Sequence, residues 1–245
     1  PYQTPVAVVY DTGDYGATMD KMEELIDLKG FPVRRAESEK KGKLRGLGVN
    51  CFIEACGIAP SNLVGQLGAR AGLYESATVR VNATGGIVVM TGSHSHGQGH
   101  ETTFPQVIAE MIGIDETQVE IKHGDTANTP MGMGTYGSRS IAVGGSAMVR
   151  AAEKVINKAK KIAAHLLEAS EADIELKDGA FSVAGTDKSV DWGSVCLAAY
   201  VPHNYPLEDI ELGLEETAFY DPSNFTYPAG AYACEVEVDP EDRQG

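Results

Sequence analysis

The residues best equipped for chemistry stand in two glycine-rich segments, Gly97-Gln98-Gly99-His100-Glu101-Thr102-Thr103 and Gly134-Thr135-Tyr136-Gly137-Ser138-Arg139-Ser140. Both read as places where irregular backbone gives way to a helix, and both end in hydroxyl side chains. Glycine lets a backbone come close to a ligand, helix-start N–H groups face an anion, and Thr, Ser and Arg add donors. The chemistry this predicts is phosphate binding. Two such segments in one chain point to an extended phosphorylated ligand held from two sides. Arg139 has two roles open to it, clamping a phosphate or pairing with a structural carboxylate. Ordinary glycine turns capped by Ser and Thr would carry the same residues, so spacing alone leaves a phosphate cradle and a plain turn both open.

Other chemistries fit less well. Gly132-Met133-Gly134-Thr135-Tyr136-Gly137 has the GxGxxG spacing. A dinucleotide site needs that motif directly after a strand, with an acidic residue ~20 positions further on at the end of the next strand. Here the loop 125–132 intervenes and Glu153 falls inside a helical pattern. The Gly-Lys-Ser/Thr of a P-loop and the Gly-x-Ser-x-Gly of a hydrolase are both absent. His94, His96 and His100 share one short segment, with His123 and Asp125 further on, which raises a zinc site. Yet His94 and His96 alternate on an extended or loop stretch, and no carboxylate or thiol completes the set at useful spacing. Loop histidines bonded to backbone or phosphate are expected instead. Glu54, in a mostly apolar strand, is either a tuned base or a carboxylate bonded to backbone, the second being the commoner arrangement.

The elements that must position these segments follow from hydrophobic periodicity. Residues 77–82 and 86–91 are β-rich runs around a short glycine-containing turn, a hairpin whose second strand feeds the loop 92–99. A helix follows from Glu101 with Phe104, Val107, Ile108, Met111 and Ile112 on one face, and Gly113 ends it. Residues 119–123 form a strand and 124–137 a second irregular loop. A long helix is expected from Ser138 to about Ala169, kinked near Gly144-Gly145, with Lys154, Lys158, Lys160 and Lys161 on a solvated face. Asp178-Gly179 turns a hairpin between 174–176 and 181–183, Asp191 caps a short helix to Tyr200, and 215–220 and 232–238 are strands. Earlier in the chain, residues 17–29 have helical spacing, stopped by Gly30 and Pro32. Residues 34–45 are the end of a second helix or an exposed link, 46–56 a buried strand, and 57–74 irregular.

With 245 residues, 42% hydrophobic content and 28 glycines, the chain suits one large domain or two smaller ones of α/β or α+β class. A formal charge of −15 argues against nucleic acid or an anionic membrane as the main partner. The longest apolar runs, such as 86–90, are far too short to span a bilayer. Cys51, Cys56, Cys196 and Cys234 form no CxxC pair, and buried reduced thiols of a cytosolic protein are expected. The chain opens on Pro1 without Met or leader, and 238–245 reads as a turn between strands, so an excised piece of a longer polypeptide is expected.

At the two glycine segments the chain resembles the large, molybdenum-bearing subunits of molybdenum hydroxylases, the xanthine dehydrogenase family, with the aerobic carbon monoxide dehydrogenase branch nearest. Tyr10-Asp-Thr-Gly-Asp-Tyr15 is similar to the family's Tyr-Asp-Ser-Gly-Asp-Tyr. Lys161-Ile-Ala-Ala-His165 and Tyr220-Asp-Pro-Ser-Asn-Phe-Thr-Tyr-Pro228 carry the resemblance over nearly the whole chain. The resemblance implies an α+β fragment of a molybdopterin-binding region, mixed sheets with packed helices, subdivided as a lead-in segment 1–75 and a cofactor-loop subdomain 76–245. It implies molybdopterin cytosine dinucleotide as the ligand. His96, Gly97, Gln98, Gly99, His100, Thr102 and Thr103 would line one side, and Thr135, Tyr136, Gly137, Ser138, Arg139 and Ser140 the other. Gln98 matches a glutamine that the family places near the molybdenum oxo ligands or the pterin, and Thr135, Tyr136, Ser138 and Ser140 match positions that hold the dinucleotide. His96 departs from a Gln-Gly-Gln-Gly pattern common among relatives; an imidazole donates as an amide does, but its charge depends on pH.

The resemblance further implies oxidation of a small substrate, carbon monoxide or an aldehyde or N-heterocycle, with water-derived oxygen. Electrons would leave through 2Fe-2S clusters on a small subunit to FAD on a medium subunit. The implied assembly is a dimer of heterotrimers, cytoplasmic or membrane-associated only through the complex. Two family segments are not found here: Ala-Tyr-x-Cys-Ser-Phe-Arg, whose cysteine ligates copper in carbon monoxide dehydrogenases, and Gly-x-Gly-Glu-Ser, which supplies the base beside molybdenum. The first is expected upstream of Pro1 and the second downstream of Gly245. The chain is thus expected to hold part of a cofactor, with no catalytic or metal-ligating residue of its own. The rival expectation is a stand-alone, non-catalytic domain that uses the loops for another phosphorylated ligand.

Overall fold

The structure, a computed structural model, describes residues 2–5, 8–57 and 60–241. It has two compact units, one joining Pro1–Cys56 to Asn224–Gly245 and the other formed by Gly57–Ser223. The units divide after Cys56 and after Ser223. The expectation that 238–245 is a turn falls largely on residues 242–245, and that of a leaderless start on Pro1; both lie outside the described residues.

The first unit opens with a short antiparallel pair, β1 (Tyr2–Gln3) and β2 (Val9–Tyr10). The Asp14 carboxylate accepts from the Ala17 N–H and so starts helix α1 (Tyr15–Leu25). A left-handed Asp27 and one 3-10 turn, Leu28–Gly30, then lead directly into α2 (Phe31–Lys40). Pro32 here opens a helix instead of blocking one, because a first-turn residue needs no N–H partner and its fixed φ is already helical. The charged stretch from Arg34 is accordingly the body of α2. Strand β3 (Leu44–Ile53) follows, and it is largely exposed where a buried strand was expected.

In the second unit the expected irregular stretch contains a short helix, α3 (Ser61–Gln66). β4 (Glu75–Val81) and β5 (Ile87–Thr91) form the expected hairpin. α4 (His100–Ile112) then crosses over to β6 (Val119–Lys122), which lies parallel to β5. Phe104, Ile108 and Ile112, spaced one helical turn apart, carry the buried face of α4. Gly113, at φ +81°, ends it in the left-handed conformation. Beyond the second loop a single π-helical turn, Ser140–Gly145, feeds α5 (Ser146–Leu167), and this wide turn is the kink expected at the glycine pair.

The buried face of α5 is mostly alanine, with Ala147, Ala151, Ala152, Ala159 and Ala163 alongside Val155 and Ile162. Small side chains let the helix lie close to its neighbours in a core shared with β4, β5 and α4. β7 (Ile174–Lys177), β8 (Ala180–Val183) and β9 (Ser189–Asp191) form an antiparallel three-stranded sheet. Asp191 caps α6 (Trp192–Ala198) through the Ser194 N–H. β10 (Leu214–Tyr220) returns to pair with β4, giving the order β10-β4-β5-β6.

The chain then re-enters the first unit as β11 (Ala229–Val238), antiparallel to β3 from Ala229 opposite Ile53 to Val238 opposite Leu44. One side of this ribbon carries Glu235 and Glu237, which take Arg34, Arg45 and Ser38. Leu44, Tyr232, Cys234 and Val236 stay exposed. The expectation of four buried thiols is thus met only by Cys56 and Cys196, while Cys51 and Cys234 are exposed on the ribbon. Burial pushes the Cys196 thiol up to about 12. Helices with separate mixed and antiparallel sheets make this the α+β fold expected. Among the described residues no helix is long and apolar enough to cross a membrane.

Candidate functional site

Because β5 and β6 are parallel neighbours, the loops that leave them emerge at the same end of the sheet. The first loop leaves β5 after Thr91 and the second leaves β6 after Lys122. The carboxyl ends of adjacent parallel strands are where open sheets commonly take ligands. The bases of the two loops meet there. A Cβ on Gly92 would stand 2.3 Å from Gly132 Cα, and one on Gly132 would stand 2.5 Å from Gly92 Cα. Only glycine at both positions allows that approach. Gly144 in the π-turn closes on the same place, its absent Cβ lying 2.1 Å from Ser93 Oγ.

Beneath this junction lies a sealed ion pair, Arg139 to Glu75 at 2.8 Å, with neither side chain exposed. The guanidinium also donates to the carbonyls of Gly134 (2.7 Å), Leu73 (3.0 Å) and Tyr74 (3.1 Å). Of the two roles open to Arg139, the structure has the structural carboxylate. The placement of Arg139 against a phosphate is corrected accordingly: its charge is neutralised inside, and it fixes the second loop by the Gly134 carbonyl. A buried charge persists only when paired and bonded in this way.

Above the junction the loops are open. Gly97, Gly99 and Gly134 have φ of +102°, +79° and +83°, and a Cβ on any of them would meet nothing within 4 Å. These glycines thus leave bare backbone facing open space, whereas Gly92, Gly132 and Gly144 serve internal packing. α4 begins at Gly99, an N-cap residue with no side chain to offer. The Thr103 hydroxyl donates to the Gly99 carbonyl at 3.2 Å, while Thr102 is exposed. The Gln98 carboxamide oxygen accepts from the His96 N–H, which folds the tip of the first loop on itself. In the second loop Tyr136, Gly137 and Ser138 are exposed, with Ser138 left-handed at φ +53°. Thr135 and Ser140 share a hydroxyl–hydroxyl bond of 2.9 Å, and Ser140 is nearly buried.

The histidines gather on the first loop and at the end of β6. The His94 ring lies 5.3 Å from that of His96 and 4.7 Å from that of His123. His123 Nε2 meets Glu101 Oε1 at 3.0 Å. The Glu101 carboxyl is held below its usual range by its own backbone N–H first, then by His123, with a further bond from Ser95. His100 stacks on Phe104 at 4.7 Å, and burial lowers its pKa, which favours the neutral imidazole. Among the described residues no group of three or more His, Cys, Asp or Glu side chains is arranged to hold a metal ion. Glu54 is exposed, not enclosed in an apolar strand. The GxGxxG match does not lie between a strand and a helix start, since β6 ends at Lys122 and the π-turn opens at Ser140.

Four buried polar atoms around the loops lack a hydrogen-bond partner among the described residues: Ser93 Oγ, His100 Nδ1, His123 Nδ1 and Arg139 Nε. Arg139 belongs to the sealed ion pair and His123 to the contact with Glu101, so the surface left for a ligand is the uncovered glycine backbone at the head of α4 with His100 beside it, a set suited to a ligand rich in acceptor atoms. A pterin bearing a phosphate tail is such a group, and the residues present fit it. The spacing of the glycines marked both loops but not the residues that hold them together, Glu75, Ser93, Gly92, Gly132 and Gly144. One signal was available, an acidic residue at the head of an apolar strand, because a carboxylate there requires a buried partner.

The family model for the molybdopterin cofactor-binding domain matches residues 21–244, a span that includes both loops. The carbon monoxide dehydrogenase large chain of Hydrogenophaga pseudoflava is 38% identical over 98% of this chain and 30% of that protein. The nicotine 6-hydroxylase large subunit of Paenarthrobacter nicotinovorans is 36% identical over 98% of this chain and 29% of its own length. Quinoline 2-oxidoreductase from Pseudomonas putida 86 superposes with a TM-score of 0.87 at 36% identity, over 100% of this chain and 31% of that one. The chain spans about 30% of the length of the curated relatives it matches.

Proposed function

The chain belongs to the molybdopterin cofactor-binding domain family, and from that premise we propose that its two loops hold molybdopterin cytosine dinucleotide within the large subunit of a molybdenum-dependent hydroxylase. The observation that carries this is the pairing of a family match across both loops with three left-handed glycines opening outward from them. The N–H groups at the start of α4 and the bare backbone at Gly97 and Gly99 would receive the phosphates. Gln98 and His96 at the tip of the first loop, with His100 below, would face the pterin end. Thr102 and Thr103 would line the first turn of α4. Tyr136, Gly137 and Ser138, supported by Thr135 and Ser140, would hold the ligand from the second loop, while Arg139 keeps that loop in place. When bound, the molybdenum would supply oxidation of a small substrate with oxygen drawn from water. In the whole enzyme the electrons would pass to 2Fe-2S clusters and FAD on partner subunits, in a dimer of heterotrimers. A cytoplasmic complex fits this reading.

The choice of substrate lies, on this reading, outside this segment. Relatives named for carbon monoxide and for nicotine match the chain at similar identity over the same share of its length. A grip on a common cofactor would serve all such relatives, so the choice between carbon monoxide and an aldehyde or N-heterocycle is assigned to polypeptide outside this segment.

Replacing Gly99 with Val in the complete subunit tests the grip. The new side chain would stand over the start of α4 and strain a backbone at φ +79°. Molybdenum content and the CMP released by acid should both fall well below wild type. Unchanged CMP release would sink the assignment.

A further inference from the structure

Four side-chain contacts close a ring around the first glycine loop. His96 meets His94, His94 meets His123 edge-on, His123 bonds Glu101, and Glu101 returns to Ser95. The ring joins three elements: the loop itself, the start of α4 through Glu101, and the end of β6 through His123. His94 is seated by Gly124, where a Cβ would stand only 2.9 Å from the ring. Within this closure lie Gly97 and Gly99, the two most freely rotating residues of the loop. Left untied, such residues would lose backbone freedom when a ligand binds, and binding would be weaker for it.

We propose that Glu101 and His123 are positioning residues that set the first glycine loop in its ligand-ready conformation before the cofactor arrives. Neither belongs to the surface assigned to the cofactor above. They act by tying the first turn of α4 to the end of β6, so that the amides at Gly97 and Gly99 are held in register. The inference rests on the cofactor reading for its consequence, though not for its geometry.

Two measurements on the complete subunit separate the two. In the first, CMP and molybdenum retained through gel filtration are compared for Glu101→Ala, His123→Ala, the double variant and His123→Gln. Each alanine variant should retain cofactor about tenfold less tightly, the worth of one charge-assisted hydrogen bond. The double variant should be no worse than either single one, because both break the same tie. His123→Gln, which can still donate to Glu101, should recover most of the loss. In the second, amide hydrogen exchange is followed over residues 94–103 in cofactor-free protein, with α5 as the internal control. Exchange there should quicken in both alanine variants while α5 is unchanged. Unaltered exchange over 94–103, or additive losses in the double variant, would overturn the proposal. If wild type releases no CMP while exchange still quickens, the cofactor reading fails and the tie between Glu101 and His123 stands.

Discussion

Arg139 shows how one residue can have its chemical type read correctly and its direction misread. A guanidinium beside glycines and hydroxyls is what a phosphate site needs, yet here every bonded N–H points inward, to Glu75 and three carbonyls. Its worth is therefore structural, and removal is severe because it strands a carboxylate with no exposure to water. Arg139→Met should destabilise the second unit by about 3–5 kcal/mol, the usual cost of breaking a buried pair from one side. Adding Glu75→Leu should recover most of that loss, since a neutral pair of similar volume leaves no orphan charge. Denaturant unfolding followed by a probe in α5 measures both. An Arg139→Met midpoint equal to wild type would mean that Glu75 is solvated or otherwise paired. Arg139→Lys should fall near Arg139→Met, because a single ammonium cannot serve four acceptors spread around a planar fork.

At the scale of elements, the ribbon of β3 and β11 depends on charge more than on apolar burial. Glu235 accepts from Arg34 and Arg45, and these bonds bring its carboxyl down to about 2, with the Arg34 bond the largest cause. Its folded value lies below its unfolded one, so this contribution is complete above the ordinary carboxylate range. It is lost as pH falls from about 5 toward 2. The melting temperature of wild type should therefore drop over that window, and Glu235→Gln should melt lower at neutral pH with a shallower acid slope. Parallel acid slopes would assign the acid loss to other carboxylates, Glu237 first, which Ser38 and Arg45 also lower. The same ribbon explains a misreading. A glycine-punctuated apolar run at 46–56 resembles a buried strand, but burial depends on what lies beside it, and among the described residues its one partner strand is β11. Pro32 is the matching case for helices: stop and start share a residue, and the turn at Asp27 decides between them. Where neighbours lie close in sequence, as in the 75–91 hairpin or the α4 stripe, periodicity sufficed. The glycines of the site divide in the same way. Gly144 reads as a helix kink and the others as loop residues, but only tertiary contact separates Gly92, Gly132 and Gly144, which touch other chain atoms, from Gly97, Gly99 and Gly134, which face open space.

For the molecule as a whole, the informative quantity is the share of its relatives that the chain spans. About 30% of a carbon monoxide dehydrogenase large chain and 29% of a nicotine 6-hydroxylase large subunit align with nearly all of it. If the shared part grips a common cofactor, exchanging it between relatives should move the grip and leave selectivity behind. A chimaera of the Paenarthrobacter nicotinovorans subunit, carrying residues 57–223 of this chain in the aligned place, should retain CMP and still hydroxylate nicotine. Its rate should be lower, because junctions at the unit boundary are not matched to the recipient. Gaining a new substrate, with nicotine turnover lost but CMP content intact, would place selectivity inside this segment and refute the division proposed here. Loss of both CMP and turnover would instead point to a grip that needs its own surrounding polypeptide. Where the chimaera does retain CMP, inserting Glu101→Ala tests what holds the loop: if the recipient scaffold holds it by other contacts, the variant should retain as much CMP as the parent chimaera. Where the ring of histidines and Glu101 is the holder, retention should fall again by about tenfold.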